Sequence, residues 1–149
     1  MPYQWMFFKS ALDAGLADFA YRIADTVLTL WQNECAESYC CFEHFMIESR
    51  RGAGWHQFSG LSSPIVQLFS AYYRPGTLTT GFDAFVRHTD WAPDNSALNA
   101  TLDFTAAGRS TVLAVLQPGP KAVTASVPCT VATRHDGLLE LTFALDAPC

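Results

Sequence analysis

Apolar residues in the first half of the chain recur at the three-and-four spacing of amphipathic helices. Leu16, Phe19, Ala20, Ile23, Ala24, Val27, Leu30 and Trp31 share one face, with Asp18, Arg22, Asp25 and Gln32 opposite, so a helix is predicted here. Ahead of it, the segment from Trp5 to Ala14 aligns Trp5, Phe8 and Leu12, and Gly15 suits the left-handed turn that ends a helix. The two segments predict a helical hairpin. A third helix is predicted from Ser63-Pro64, where the serine can cap free amides and the proline fits the first turn. Its stripe is Leu61, Ile65, Leu68, Phe69 and Tyr72, and Arg74-Pro75-Gly76 ends it.

Beyond Gly76 the period changes from helical to alternating. Leu98, Ala100, Leu102 and Phe104 alternate with Asn99, Thr101 and Asp103, and a turn at Ala107-Gly108 leads into Ser110 to Leu116. Val123, Ala125 and Val127 alternate after the Pro118-Gly119-Pro120 break, and Asp136-Gly137 joins Thr130–Thr133 to Leu138–Leu145. The expectation is an α+β chain: helices over 1–75, then a small antiparallel sheet or sandwich over 76–149 that covers them.

Composition narrows the function classes. The 149 residues are 50% hydrophobic, enough for one ordinary globular domain or two very small ones. A net charge of -5 with only 9 Lys+Arg excludes a phosphate-neutralising surface, so no nucleic acid is expected as a partner. No apolar run approaches the roughly 20 residues that span a bilayer, so no membrane is expected either. The N-terminus lacks the pattern of a secretory signal. Cys35, Cys40, Cys41, Cys129 and Cys149 form neither an even disulfide framework nor a CxxC ligand pair, and neither a metal nor a cofactor is implied. Three helices this rich in Trp, Phe and Tyr offer more apolar surface than they and one sheet can bury. The first helix also opens without a capping residue, as expected of a chain cut from a longer one.

The candidate chemistry lies between the second and third helices. Tyr39 to Leu61, YCCFEHFMIESRRGAGWHQFSGL, is far longer than the roughly 2 to 8 residues that usually link packed helices, and long connections of this kind tend to be functional. It is read as a loop. It gathers Glu43 and Glu48, the aromatics Tyr39, Phe42, Phe45, Trp55 and Phe58, and His44 and His56. Aromatic faces stack on sugar rings, polar groups bond hydroxyls, and a carboxylate can activate the water that attacks an anomeric carbon. Arg50-Arg51 is read as a solvated turn. Each residue also has a plainer reading: Glu43 as a solvated carboxylate, Trp5 and Trp55 as core, the histidines as ordinary loop residues.

Glu43-His44-Phe45, then Gly52-Ala53-Gly54, then Phe58-Ser59-Gly60-Leu61 opening a helix resemble the C-terminal motif of the six-hairpin glycosidases, which include trehalase, processing α-glucosidase and mannosylglycerate hydrolase-like enzymes. Trp5 in Pro2-Tyr3-Gln4-Trp5 is similar in place to a Gly-x-x-Trp-Pro segment of that family. The resemblance covers roughly the first half of the chain. It implies that the helices are the end of an (α/α)6 barrel and that Glu43 is the general base of an inverting hydrolysis. It implies a carbohydrate substrate, for which Trp55, His44, His56, Gln57, Trp5 and Tyr3 are the candidate binding residues. His44-Phe45 stands where the family has Asn-Tyr, and Gly60 where a pocket Trp is common, which leaves the sugar open. Inversion needs a second carboxyl roughly 6.5 to 9.5 Å from the first, and the family's acid comes from an earlier hairpin. The expected partner is therefore the missing N-terminal portion of the barrel, or a second copy held through exposed helices. A non-catalytic carbohydrate-binding module and an assembly domain remain the alternatives.

Overall fold

The computed structural model describes residues 2–56, 59–119 and 121–149, with backbone alone at 2 and 59–62. Helices α1 (Pro2–Asp13) and α2 (Ala17–Ser38) come first, then a hairpin of β1 (Phe42–Phe45) and β2 (Gly52–His56), then α3 (Ser59–Tyr73). Strands β3 (Thr77–Thr79), β4 (Ala84–Trp91), β5 (Leu98–Phe104), β6 (Gly108–Val115), β7 (Cys129–Thr133) and β8 (Leu138–Leu145) follow. The chain is α+β, and its strand pairs are antiparallel.

The helical hairpin forms as the pattern predicts. Gly15, at φ +67°, turns the chain, and a Cβ there would strike the Arg109 side chain at 2.6 Å, so glycine is required for both backbone and space. Phe8, Ala11 and Leu12 of α1 meet Ala20, Ala24 and Val27 of α2 and Ile65, Leu68, Ala71 and Tyr72 of α3 in one core. Of the predicted stripes, Leu16, Phe19 and Phe69 are exposed rather than buried, and the Leu61 side chain lies outside the described residues. α2 runs on past Gln32 to Ser38. α3 begins at Ser59, before the predicted Ser63-Pro64 start, and Pro64 is inside it. Pro64 is the sixth residue of the helix, past its orphan amides, so α3 goes without the N–H bond to the Gly60 carbonyl.

The four-stranded sheet has the order β3-β6-β8-β7, and β4 and β5 form a separate ribbon. Both faces of the sheet are covered. Leu113 and Val115 of β6 and Leu138 of β8 join the helical core, whereas Val112, Ala114, Leu139, Phe143 and Leu145 pack on the other side, with Phe104 of the ribbon and neighbouring residues. The result is three layers: helices, sheet, ribbon. Two polar anchors tie them. Arg134 donates to buried Glu140 of β8 at 2.6 and 3.1 Å and to Asp18 of α2 at 2.6 Å, with its guanidinium 4.3 Å from the Tyr21 ring centre. Asp13, at the end of α1, accepts from the Phe82 and Asp83 amides at 2.7 and 3.0 Å.

Three strand expectations change. β5 pairs with β4, not with β6 across Ala107-Gly108, because a tight turn with Asn95 at φ +57° joins β4 and β5 first. β4 escapes the sequence pattern because only Ala84 of its eight residues is buried. Residues 123–127 are not a strand: Val123, Ala125 and Val127 line a cavity of about 670 Å³ against Leu102, Leu141 and Phe143.

Candidate active site

The buried stripe of α2 continues through Ala20, Ala24 and Val27 to Glu34, so the helix delivers a carboxylate to a place where its spacing calls for an apolar residue. A carboxylate cannot remain there unpartnered. Arg51 supplies the partner: its Nε donates to Glu34 Oε2 at 2.9 Å and its Nη2 to Oε1 at 3.1 Å. The Gly52 amide adds a third donor to Oε2 at 2.7 Å. The Arg51 hydrogen bond, then the Gly52 amide, hold the Glu34 pKa down at about 2 against the opposing effect of burial. Arg51 also reaches the exposed Glu37 at 2.6 Å. Arg51 is thus a clamp on α2, which corrects its reading as part of a solvated turn; Arg50, with φ +57°, is exposed.

This clamp fixes residues 42–56 of the connection, which are a hairpin rather than an open loop. Phe42 pairs with His56, His44 with Ala53 and Phe45 with Gly52, and an irregularity falls between Phe42 and His44. Bonds from Met46 N to Arg51 O at 3.0 Å and from Arg50 N to Met46 O at 2.9 Å close the turn. The irregularity acts like a bulge, which re-aims a side chain at the cost of one ladder position. Gly52 lies under the Phe42 ring. Gly54 has φ +80°, and a Cβ there would meet Glu43 Oε2 at 2.7 Å and the His44 ring at 3.0 Å. The missing side chain is therefore the space in which Glu43 and His44 come together.

The structure gathers four of the sequence candidates on this hairpin. Glu43 and His44 are exposed on β1, and Trp55 and His56 are exposed on β2, Trp55 at 71%. Gln57 lies outside the described residues, as does Phe58. Trp5 and Tyr3 belong to a different element, α1. Trp5 stacks on Phe8 at 5.1 Å between ring centres and is half-buried against the helical core, with Lys9 5.8 Å above it, whereas Tyr3 is exposed. Glu48 is exposed in the hairpin turn. Among the described residues no cluster of His, Cys, Asp and Glu has the makings of a metal site, and no helix is long and apolar enough to cross a membrane.

Sequence reasoning missed Glu34, although a signal was present: a glutamate in phase with Ala20, Ala24 and Val27 demands a cationic partner, and the following connection offers Arg50 and Arg51. Comparison with family models, with curated proteins and with solved structures finds no match to this chain.

Proposed function

We propose that this chain is the C-terminal segment of an inverting glycoside hydrolase, in which Glu43 is the general base and the β1–β2 hairpin presents it to the sugar. The observation that carries the reading is the junction at Gly54, where the Glu43 carboxylate and the His44 ring both lie against the bare glycine. A general base must hold one water on the far face of the anomeric carbon, and a neighbouring imidazole can bond that water or a sugar hydroxyl. Trp55, 71% exposed on the paired strand, is the aromatic residue for stacking on a pyranose ring. The Glu34–Arg51 clamp keeps the hairpin on α2, as a site built for positioning requires. The general acid belongs to the remainder of the barrel, which docks on the apolar helix surface bearing Tyr3, Met6, Phe7, Val66 and Phe69.

The test is made in the full-length context that holds both carboxyls. Glu43→Gln should abolish turnover of glucosides and mannosides while leaving circular dichroism and Tm unchanged; full retained activity sinks the assignment. The second reading, a carbohydrate-binding module without catalysis, is favoured by the exposure of Glu43, His44, Trp55 and His56 together on one hairpin. Calorimetry separates the two. A binding module takes up oligosaccharide as this chain alone and loses it in Trp55→Ala, whereas the base half of an enzyme needs its other half to form the subsite.

A further inference from the structure

The interior between the sheet and the ribbon is divided. Ala84, Phe104, Val112, Phe143 and Leu145 form one buried cluster, and Ala114, Leu116 and Leu139 form another. Packed layers ordinarily share one contiguous interior with few voids larger than a water molecule. Here the cavity of about 670 Å³ borders both clusters, with residues 121–127 along one wall. The sequence accounts for the gap. Ala100 stands between Leu98 and Leu102 in β5, Ala114 between Val112 and Leu116 in β6, and Ala125 between Val123 and Val127, so in each wall a small residue interrupts larger ones.

The cavity is long, and its ends differ. Its lining follows β5 from Leu98 to Phe104, roughly 20 Å at the rise of a strand. At the Leu98 end, Val123 packs with Leu98 and Trp91 on the smaller cluster, and Lys121, Ser96 and Asn99 bring polar groups to the lining. At the Phe104 end, Val127 and Leu102 pack with Phe104 and Phe143. Lys121 is the only charged side chain among the described lining residues, and among the described residues it forms no salt bridge. The acids on its side of the molecule are engaged elsewhere: Asp94 accepts from the Ser96 amide at 3.0 Å, and Asp136 from the Gly119 amide at 2.9 Å.

We propose that this cavity binds a medium-chain fatty acid, its chain extended between the sheet and the ribbon and its carboxylate at Lys121. The volume falls within the roughly 300–1,000 Å³ of small-molecule sites, which combine apolar walls with a few polar groups that fix orientation. A straight apolar chain suits the length of the slot, and a single carboxylate suits its single cation, whereas a cationic amphiphile would meet a like charge. Residues 121–127 join no sheet ladder, so they are the wall that can move to admit the ligand. This inference does not depend on the carbohydrate reading.

The experiment titrates the intact chain with dodecanoate, below its micelle concentration, in a calorimeter, and maps hydrogen exchange with and without it. One molecule per chain is expected, with slower exchange over residues 98–104 and 121–127. Lys121→Gln should weaken binding about tenfold, as the loss of one charge-assisted contact implies. Ala100→Leu should abolish binding with Tm unchanged or raised, because the larger side chain fills the middle of the slot. Phe7→Lys combined with Phe69→Lys, which alters the exposed helix surface instead, should leave binding intact. If Ala100→Leu does not fold, Lys121→Gln and the exchange map decide alone. No binding, dodecanol held as tightly as dodecanoate, protection confined to α1 and α3, or undiminished binding in either cavity variant each overturns the proposal.

Discussion

At the scale of single residues, Gly54 and Arg51 carry the most consequence for the hairpin. Gly54→Ala places a methyl group against the Glu43 carboxylate and the His44 ring and sets an L-residue at positive φ. The backbone costs about 1–2 kcal/mol, whereas the exposed Glu43 and His44 side chains can turn away from the methyl group. Faster hydrogen exchange across residues 42–56, with little change in α1, is the expected signature. Arg51→Ala strips the buried Glu34 of its charged partner, and we expect a lower midpoint in urea melts, with less loss than breaking a fully buried pair because Arg51 is exposed. Arg50→Ala should fall within about 0.5 kcal/mol. The same carboxylate predicts a pH dependence. Its folded pKa of about 2 lies below the unfolded value of 4.5, so between those values the unfolded chain binds the proton and the folded one does not. The contribution is complete above pH 4.5 and is lost as pH falls through about 2. Glu34→Gln should flatten that limb of the acid-unfolding curve; an unchanged slope would remove Glu34 from the account.

Among the elements, legibility followed burial. The stripes of α1 and α2 were readable because one face packs and the other is solvated, and Leu138–Leu145 was readable because its alternate residues enter two different interiors. β4 was not, since Phe85, Val86, Arg87 and His88 are exposed and impose no alternation. Residues 123–127 misled for another reason: Val123 and Val127 are half-buried, but Ala125 is exposed, the segment lines a cavity, and its backbone joins no ladder. The hairpin was mistaken for a loop because its glycines and its turn chemistry mask a short ladder, while the residues that gather on it, Glu43, His44, Trp55 and His56, were all visible. Its clamp was not, because Glu34 and Arg51 are distant in sequence and the exposed Arg51 carries no burial pattern that would pair it with the buried Glu34. Energetically the helical layer should dominate: Leu68→Ala, at a fully buried position, should cost about 3 kcal/mol and lower Tm accordingly.

For the molecule as a whole, the outer surface of the helices is apolar where a solvated face would be charged. Tyr3, Met6 and Phe7 of α1 and Val66 and Phe69 of α3 are all exposed, five large apolar side chains on two helices. Sedimentation velocity of this chain alone should therefore show concentration-dependent association that Phe7→Lys combined with Phe69→Lys relieves. A monodisperse monomer at all concentrations would count against the docking of further helices there.

β6 has almost no outside. From Ser110 to Leu116 every side chain is buried, odd-numbered positions toward the helices and even-numbered ones toward the ribbon. It is a party wall between two rooms. A single inserted residue in it would exchange the furnishings of both, sending Leu113 and Val115 into the space shaped for Val112 and Ala114, with no solvent side to receive the misfits. The helical half and the ribbon half cannot drift apart in sequence independently, since any change of register in this one strand has to be acceptable to both at once.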